Sequence, residues 1–178
     1  VGCYGFDITS YRSGPAPGWG ALVTPDKKVV KAGDGISCPN GMVITPDGKT
    51  LIAADTMKRR LVSWDIAEDG TLANYRIFAN MSGGPDGIGL DAEGAIWAAV
   101  PDQMEVQRVL KGGEVTHVVK PGNKPLACML GGADRKTLFM VTVTAQSEAE
   151  TSDLSAMAQK KCHIEYVEGI EVSGAGRP

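Results

Sequence analysis

Pro39-Asn40-Gly41-Met42-Val43-Ile44-Thr45-Pro46-Asp47-Gly48-Lys49-Thr50-Leu51-Ile52-Ala53-Ala54-Asp55 is the stretch whose reading decides the fold. Asn40-Gly41 and Asp47-Gly48 read as turn pairs, because Gly accepts positive φ and Asn or Asp tolerates it. The two apolar runs they punctuate read as adjacent antiparallel strands. The pattern returns at Pro85-Asp86-Gly87-Ile88-Gly89-Leu90-Asp91-Ala92-Glu93-Gly94-Ala95-Ile96-Trp97-Ala98-Ala99, with Asp86 in the place of Asn40. Asn40 to Asp86 and Gly48 to Gly94 share one offset, 46 residues. A degraded third copy runs from Pro125 to Phe139. A repeat of roughly 40–50 residues carrying about four short strands is the signature of β-propeller blades.

Reading outward, the chain divides into blades near 1–37, 38–83, 84–123 and 124–178. The first holds strands over Val1 to Ile8, Trp19 to Val23 and Val29 to Ala32, with a Ser/Gly/Pro loop from Ser10 to Pro17. The second adds Arg60 to Ile66 and Asn74 to Ala79, and the third Glu105 to Leu110 and Glu114 to Val119. The fourth uses Leu138 to Val143 and His163 to Val167, with Ile170 to Val172 as a closing strand. A polar insertion, 145–161, separates its middle strands; Ser152-Asp153 ahead of Leu154 to Ala158 predicts one or two helical turns there.

Composition narrows the function. The chain has 178 residues, 43% of them hydrophobic, with 23 Gly, so it can bury a core and is rich in turns. A net charge of −3 argues against nucleic acid and anionic membranes as partners. Cys3, Cys38, Cys128 and Cys162 show no metal spacing and are too sparse for a disulfide scaffold, so buried free thiols are expected. No run approaches the ~18 apolar residues of a membrane helix, and no signal peptide is visible, which makes the cytoplasm the expected location. His117 and His163 lack H-x-x-x-H spacing, and no G-x-S-x-G marks a serine hydrolase.

In a propeller the first strand of each blade lines the central channel. The repeat therefore sets Asn40 and Asp86 side by side at one mouth of that channel. A neutral amide oxygen beside a carboxylate is a mixture that hard cations such as Ca²⁺ take as ligands. Asn-Gly and Asp-Gly are also common hairpin pairs, so spacing alone leaves both readings open. Asp55 ends the strand that begins at Thr50, and is either a rim residue with a substrate-binding or supporting role or part of a surface turn.

Cys38-Pro39-Asn40-Gly41-Met42, Pro46-Asp47-Gly48-Lys49-Thr50-Leu51, Pro85-Asp86-Gly87, Leu90-Asp91-Ala92-Glu93-Gly94, Trp97, and Ala127-Cys128-Met129-Leu130-Gly131-Gly132 followed by Thr137-Leu138-Phe139 together resemble the SMP-30/gluconolactonase/LRE-like family. The close of the chain, from Ile164-Glu165 to Gly176-Arg177-Pro178, is similar as well. The resemblance implies a six-bladed propeller with one divalent metal ion in its channel, Ca²⁺ foremost, with Zn²⁺, Mg²⁺ or Mn²⁺ as alternatives. It makes Asn40 a metal ligand and Asp86 both ligand and general base. A first-blade Glu ligand and a further channel Asn of the family have no counterpart here, and Cys3 stands where relatives often carry a polar residue.

The implied chemistry is metal-assisted hydrolysis of a small, polar, sugar-like lactone, in which the cation polarises the ester carbonyl and a carboxylate takes a proton from water. Two alternatives stand beside it: a phosphotriesterase-like or other esterase of the same fold, and a non-catalytic propeller serving as an interaction module. Since the chain shows three full blades and most of another, the remaining blades are expected from an N-terminal half supplied as a separate fragment or chain.

Overall fold

The computed structural model describes residues 1–5, 17–144 and 161–175. The loop from Ser10 to Pro17, apart from its last residue, and the helical turns expected at 145–161, apart from Lys161, lie outside them. Fourteen strands occupy these residues and pair only with sequence neighbours. The first sheet joins β1 (Gly2–Cys3), β2 (Trp19–Val23) and β3 (Val29–Lys31). The second runs β4 (Pro39–Ile44), β5 (Thr50–Asp55), β6 (Arg60–Ile66) and β7 (Leu72–Asn80). The third runs β8 (Ile88–Leu90), β9 (Ile96–Val100), β10 (Glu105–Val109) and β11 (Val115–Val119). The fourth joins β12 (Lys124–Gly131), β13 (Thr137–Val143) and β14 (Cys162–Val167). All pairings are antiparallel.

The expected turns at Asp47-Gly48 and at Gly94 form, with φ of 73° and 81° at the two glycines. Each closes on a hydrogen bond, Gly48 N–H to the Thr45 carbonyl at 2.8 Å and Gly94 N–H to that of Asp91 at 3.0 Å. Glycine is required there because a Cβ is strained at positive φ.

Sheets stack face to face, and side-chain alternation sends the inner strands of the second and third sheets into two seams. Ala53 and Val62 join Ile36 and Trp64 between the first and second sheets. Their neighbours Ile52, Ala54 and Leu61 meet Ile88, Leu90, Ile96, Ala98 and Val109 between the second and third. Trp97, Ala99 and Val106 then meet Cys128, Leu130, Leu138 and Met140 of the fourth. A strand buried on both faces reads as a continuous apolar run, which is why Ile52 to Ala54 and Ile96 to Val100 lack alternation. Each fully buried Leu or Ile contributes roughly 1.5–3 kcal/mol.

Two expectations are corrected. Ile170 to Val172 forms no strand; the segment after β14 is held by Ile170 N–H to the Lys136 carbonyl at 2.9 Å and by one bridge, Asp91 to Gly174. Its Ser173 and Ala175 bond to residues of the third sheet, so the end of the described chain ties two sheets together instead of extending one. Of the four free thiols, Cys38 and Cys128 are buried, Cys3 is half-buried and Cys162 is exposed at the start of the edge strand β14. Among the described residues no helix is long and apolar enough to cross a membrane.

Candidate metal and catalytic site

At Asn40-Gly41 and Asp86-Gly87 the structure corrects the hairpin-turn reading. Asn40-Gly41 is not a turn. It lies in β4, where register with β5 slips between Pro39 and Met42, and neither Gly41 nor Gly87 has positive φ. Both glycines serve close approach instead. A Cβ on Gly41 would lie 2.5 Å from the Ile88 nitrogen and 2.7 Å from the Asp86 carbonyl oxygen. A Cβ on Gly87 would lie 2.5 Å from the Cβ of Ala127. Gly41 N–H donates to the Asp86 carbonyl at 3.1 Å, and Gly87 N–H to that of Leu126 at 2.9 Å. The starts of β4, β8 and β12 thus touch backbone to backbone, and this contact brings Asn40 beside Asp86.

Asp86 precedes β8, with its amide donating to the Ala99 carbonyl at 2.9 Å. Burial pushes its carboxyl up from 3.8 to about 6, against hydrogen bonds from the Asn40 side chain and the Gly87 amide that lower it. Among the described residues no Lys, Arg or His forms an ion pair with it. A partly buried carboxylate held only by neutral donors is a poorly compensated negative charge.

Asn40 donates from Nδ2 to Thr56 Oγ1 at 3.3 Å. Thr56 opens the 3-10 turn Thr56–Lys58 and donates its own hydroxyl proton to the Pro85 carbonyl at 2.7 Å. Tyr4, following β1, shares a hydrogen bond with Cys38; burial raises its phenol, and the Cys38 and Asp86 charges add to that. The Cys38 thiol is likewise raised, first by burial, against hydrogen-bonding interactions with the Tyr4 and Thr56 side chains. Behind the site, burial pushes the Cys128 thiol up to about 12, with its Sγ 3.3 Å from the Trp97 carbonyl oxygen. That thiol is inert at neutral pH.

Asp55 is fully buried and so is no surface-turn residue. Its Oδ1 accepts the amides of Ser37 at 3.1 Å and Cys38 at 3.0 Å, and its Oδ2 faces Arg60 Nε at 3.1 Å and Nη2 at 3.0 Å. Arg60 also bonds the Gly35 carbonyl and lies over the Tyr75 ring, 5.9 Å from its centroid. Asp55 therefore anchors the segment that leads into Asn40. Sequence reasoning missed the roles of Thr56, Tyr4 and Cys38, which come from contacts between residues far apart in the chain; a lone Thr after a strand carries no periodic signal.

The donor set fits a hard cation in kind: an anionic carboxylate without a basic partner, beside an amide whose N–H groups are directed elsewhere. It supplies only part of a coordination shell, since no three His, Cys, Asp or Glu cluster among the described residues.

Residues 2–144 match the model of the SMP-30/gluconolactonase/LRE-like region, and the chain belongs to that family. It is 33% identical over 126 residues to the 6-deoxy-6-sulfogluconolactonase of Pseudomonas putida, covering 68% of this chain and 43% of the relative. Regucalcin of Xenopus laevis is 29% identical over 163 residues, covering 87% and 54%. Among solved structures, a luciferin-regenerating enzyme aligns with TM-score 0.75 at 25% identity, over 90% of this chain and 54% of that one. Regucalcin of Agrobacterium tumefaciens strain C58, described as a calcium-binding protein, aligns with TM-score 0.69 at 28% identity, over 90% and 55%. The chain thus spans about half the length of the relatives it matches.

Proposed function

We propose that this chain carries the Asn and Asp part of the active site of a metal-dependent hydrolase that opens a small, polar, sugar-like lactone. The observation behind it is the partly buried carboxyl of Asp86, raised to about 6 beside Asn40 and, among the described residues, in no ion pair. The names of relatives, 6-deoxy-6-sulfogluconolactonase and the L-arabinolactonase of Azospirillum brasilense, favour a sugar lactone over a phosphotriester. Asn40 Oδ1 and the Asp86 carboxylate would hold the ion, with Ca²⁺ preferred over Zn²⁺, Mg²⁺ or Mn²⁺. When bound, the ion supplies Lewis-acid polarisation of the ester carbonyl.

The remaining steps belong to the chain's own residues. Asp86 accepts a proton from the attacking water. Asn40 keeps a hydrogen bond on that carboxyl and so holds it in one orientation. Asp55 stands one step back, fixing the backbone of Cys38 that leads into Asn40. It acts on substrate binding through that segment.

In this reading the four sheets are blades of a six-bladed ring. The other blades, with the first-blade Glu, belong to a part of the ring that these residues do not supply, in keeping with a chain that spans about half the length of its relatives. Native mass spectrometry and sedimentation of purified material test that part. A monodisperse 18.7 kDa species that binds the ion and hydrolyses lactone overturns it.

Activity is tested by following lactone opening as proton release. Asp86→Asn should lose roughly 10²-fold or more, the usual worth of a positioned base. Asp55→Asn should lose less. An unchanged rate in Asp86→Asn overturns the assigned role.

A further inference from the structure

Resting on that reading of Asn40 and Asp86, we infer that Thr56 is the positioning residue that locks the two ion-binding side chains into one arrangement across the seam between the second and third sheets. A threonine hydroxyl has one proton to donate and two lone pairs to accept with. The Thr56 proton is committed to the Pro85 carbonyl at 2.7 Å. Its 3.3 Å contact with Asn40 Nδ2 therefore has only one polarity: the amide nitrogen donates and Thr56 Oγ1 accepts. This settles which way the Asn40 amide is turned. Its nitrogen faces Thr56, and the same NH₂ group supplies the hydrogen bond to Asp86 that lowers the carboxyl's pKa. Both amide protons are thereby directed, and Oδ1 is the atom left for a ligand.

The clamp has a third point. Thr56 N–H donates to the Cys38 carbonyl at 3.2 Å, two residues ahead of Asn40. One residue thus grips the backbone leading into Asn40, the Asn40 side chain, and the peptide oxygen immediately before Asp86. Asn40 and Asp86 sit on different sheets, and Gly41 N–H to the Asp86 carbonyl is the neighbouring backbone tie between them. That bond fixes the spacing of the main chains; Thr56 fixes the orientation of the side chain between them. Groups that orient a ligand this way typically contribute 10–100-fold to metal affinity.

The test is Ca²⁺ titration by calorimetry on the protein with the rest of its ring present, comparing wild type with Thr56→Val, which keeps the shape but removes both hydroxyl functions, and Thr56→Ser, which keeps the hydroxyl. Thr56→Val should bind Ca²⁺ 10–100-fold more weakly, and Thr56→Ser should stay within about threefold of wild type. A structural role alone would lower thermal stability without separating the two affinities. A measurement that needs no variant accompanies it: in chelator, the two Asn40 Nδ2 protons should exchange slowly by NMR. Solvent-rate exchange of both, or equal Ca²⁺ affinity of wild type and Thr56→Val, overturns the assignment of Thr56. Failure of wild type itself to bind Ca²⁺ overturns the reading of Asn40 and Asp86, and this assignment with it.

Discussion

The two middle sheets and the two outer ones have nearly the same strands but opposite surroundings. The third sheet is buried on both faces: Trp97 is 1% exposed toward the fourth sheet, while Ile96 and Ala98 are fully buried toward the second. The fourth sheet buries Cys128, Leu130, Leu138 and Met140 on one face only. On the other, Met129 pairs with Phe139 and Phe139 with Tyr166, while Val141 pairs with Ile164, and all five are exposed, Ile164 at 72% and Tyr166 at 61%. The first sheet similarly exposes Val23, Val29 and Val30. An apolar row of this kind is a contiguous exposed face of the sort that marks a contact surface. The candidate site lies where a seam is complete, because there a neighbouring strand presses its backbone against Gly41 and draws Asp86 partly out of solvent.

The contrast is broken most forcefully from its buried side. Trp97→Ala should cost about 3–5 kcal/mol in chemical denaturation, since the cavity opens in the closed seam between the third and fourth sheets. A loss near 1 kcal/mol would mean the third and fourth sheets separate readily.

Next comes the charge inside the seam. The folded Asp86 carboxyl, near 6, binds a proton that an ordinary carboxyl at 3.8 has released. Between about pH 4 and 6 the folded state therefore holds more protons than the unfolded one, and stability falls as pH rises through that window. Asp86→Asn removes the effect. In chelator it should be more stable than wild type by roughly 2–3 kcal/mol at pH 7 and indistinguishable near pH 4. A constant difference across that range would mean the carboxyl is not buried as described.

Gly41→Ala probes the backbone contact itself. With its Cβ 2.5 Å from the Ile88 nitrogen, the second and third sheets must part, at about 1–3 kcal/mol, with Ca²⁺ binding lost alongside. The smallest effect belongs to the open face. Ile164→Ser should change the stability of this chain by less than about 0.5 kcal/mol while reducing its self-association in sedimentation. A large loss of stability would show that something already covers that face.

Most strand positions were legible in the sequence to within a residue or two: Arg60 to Ile66 and Trp19 to Val23 form as read, whereas Val1 to Ile8 is a strand only over Gly2–Cys3 among its described residues. They follow from local rules, apolar runs between glycines that need positive φ, as at Gly48. The pairing of Asn40 with Asp86 was legible through the repeat. The conformation of Asn40-Gly41 was not, because glycine answers two different needs, positive φ and close approach, and a single letter does not say which. Ile170 to Val172 is apolar enough for a strand, yet its backbone partners are scattered over other sheets.

What the sequence alone determined is the repeat: short antiparallel strands, turns at fixed offsets, and an amide and a carboxyl at equivalent points of successive units. Those features depend on residues close along the chain, where φ preferences and side-chain alternation act. What only the tertiary structure decided is everything made across seams. Asp55 is anchored by Arg60 from the neighbouring strand, Asp86 is raised by burial among sheets, and Thr56 reaches Asn40 on one sheet and Pro85 ahead of the next. Burial and hydrogen-bond partners depend on which surfaces meet, and chain order leaves that to the packing of whole sheets.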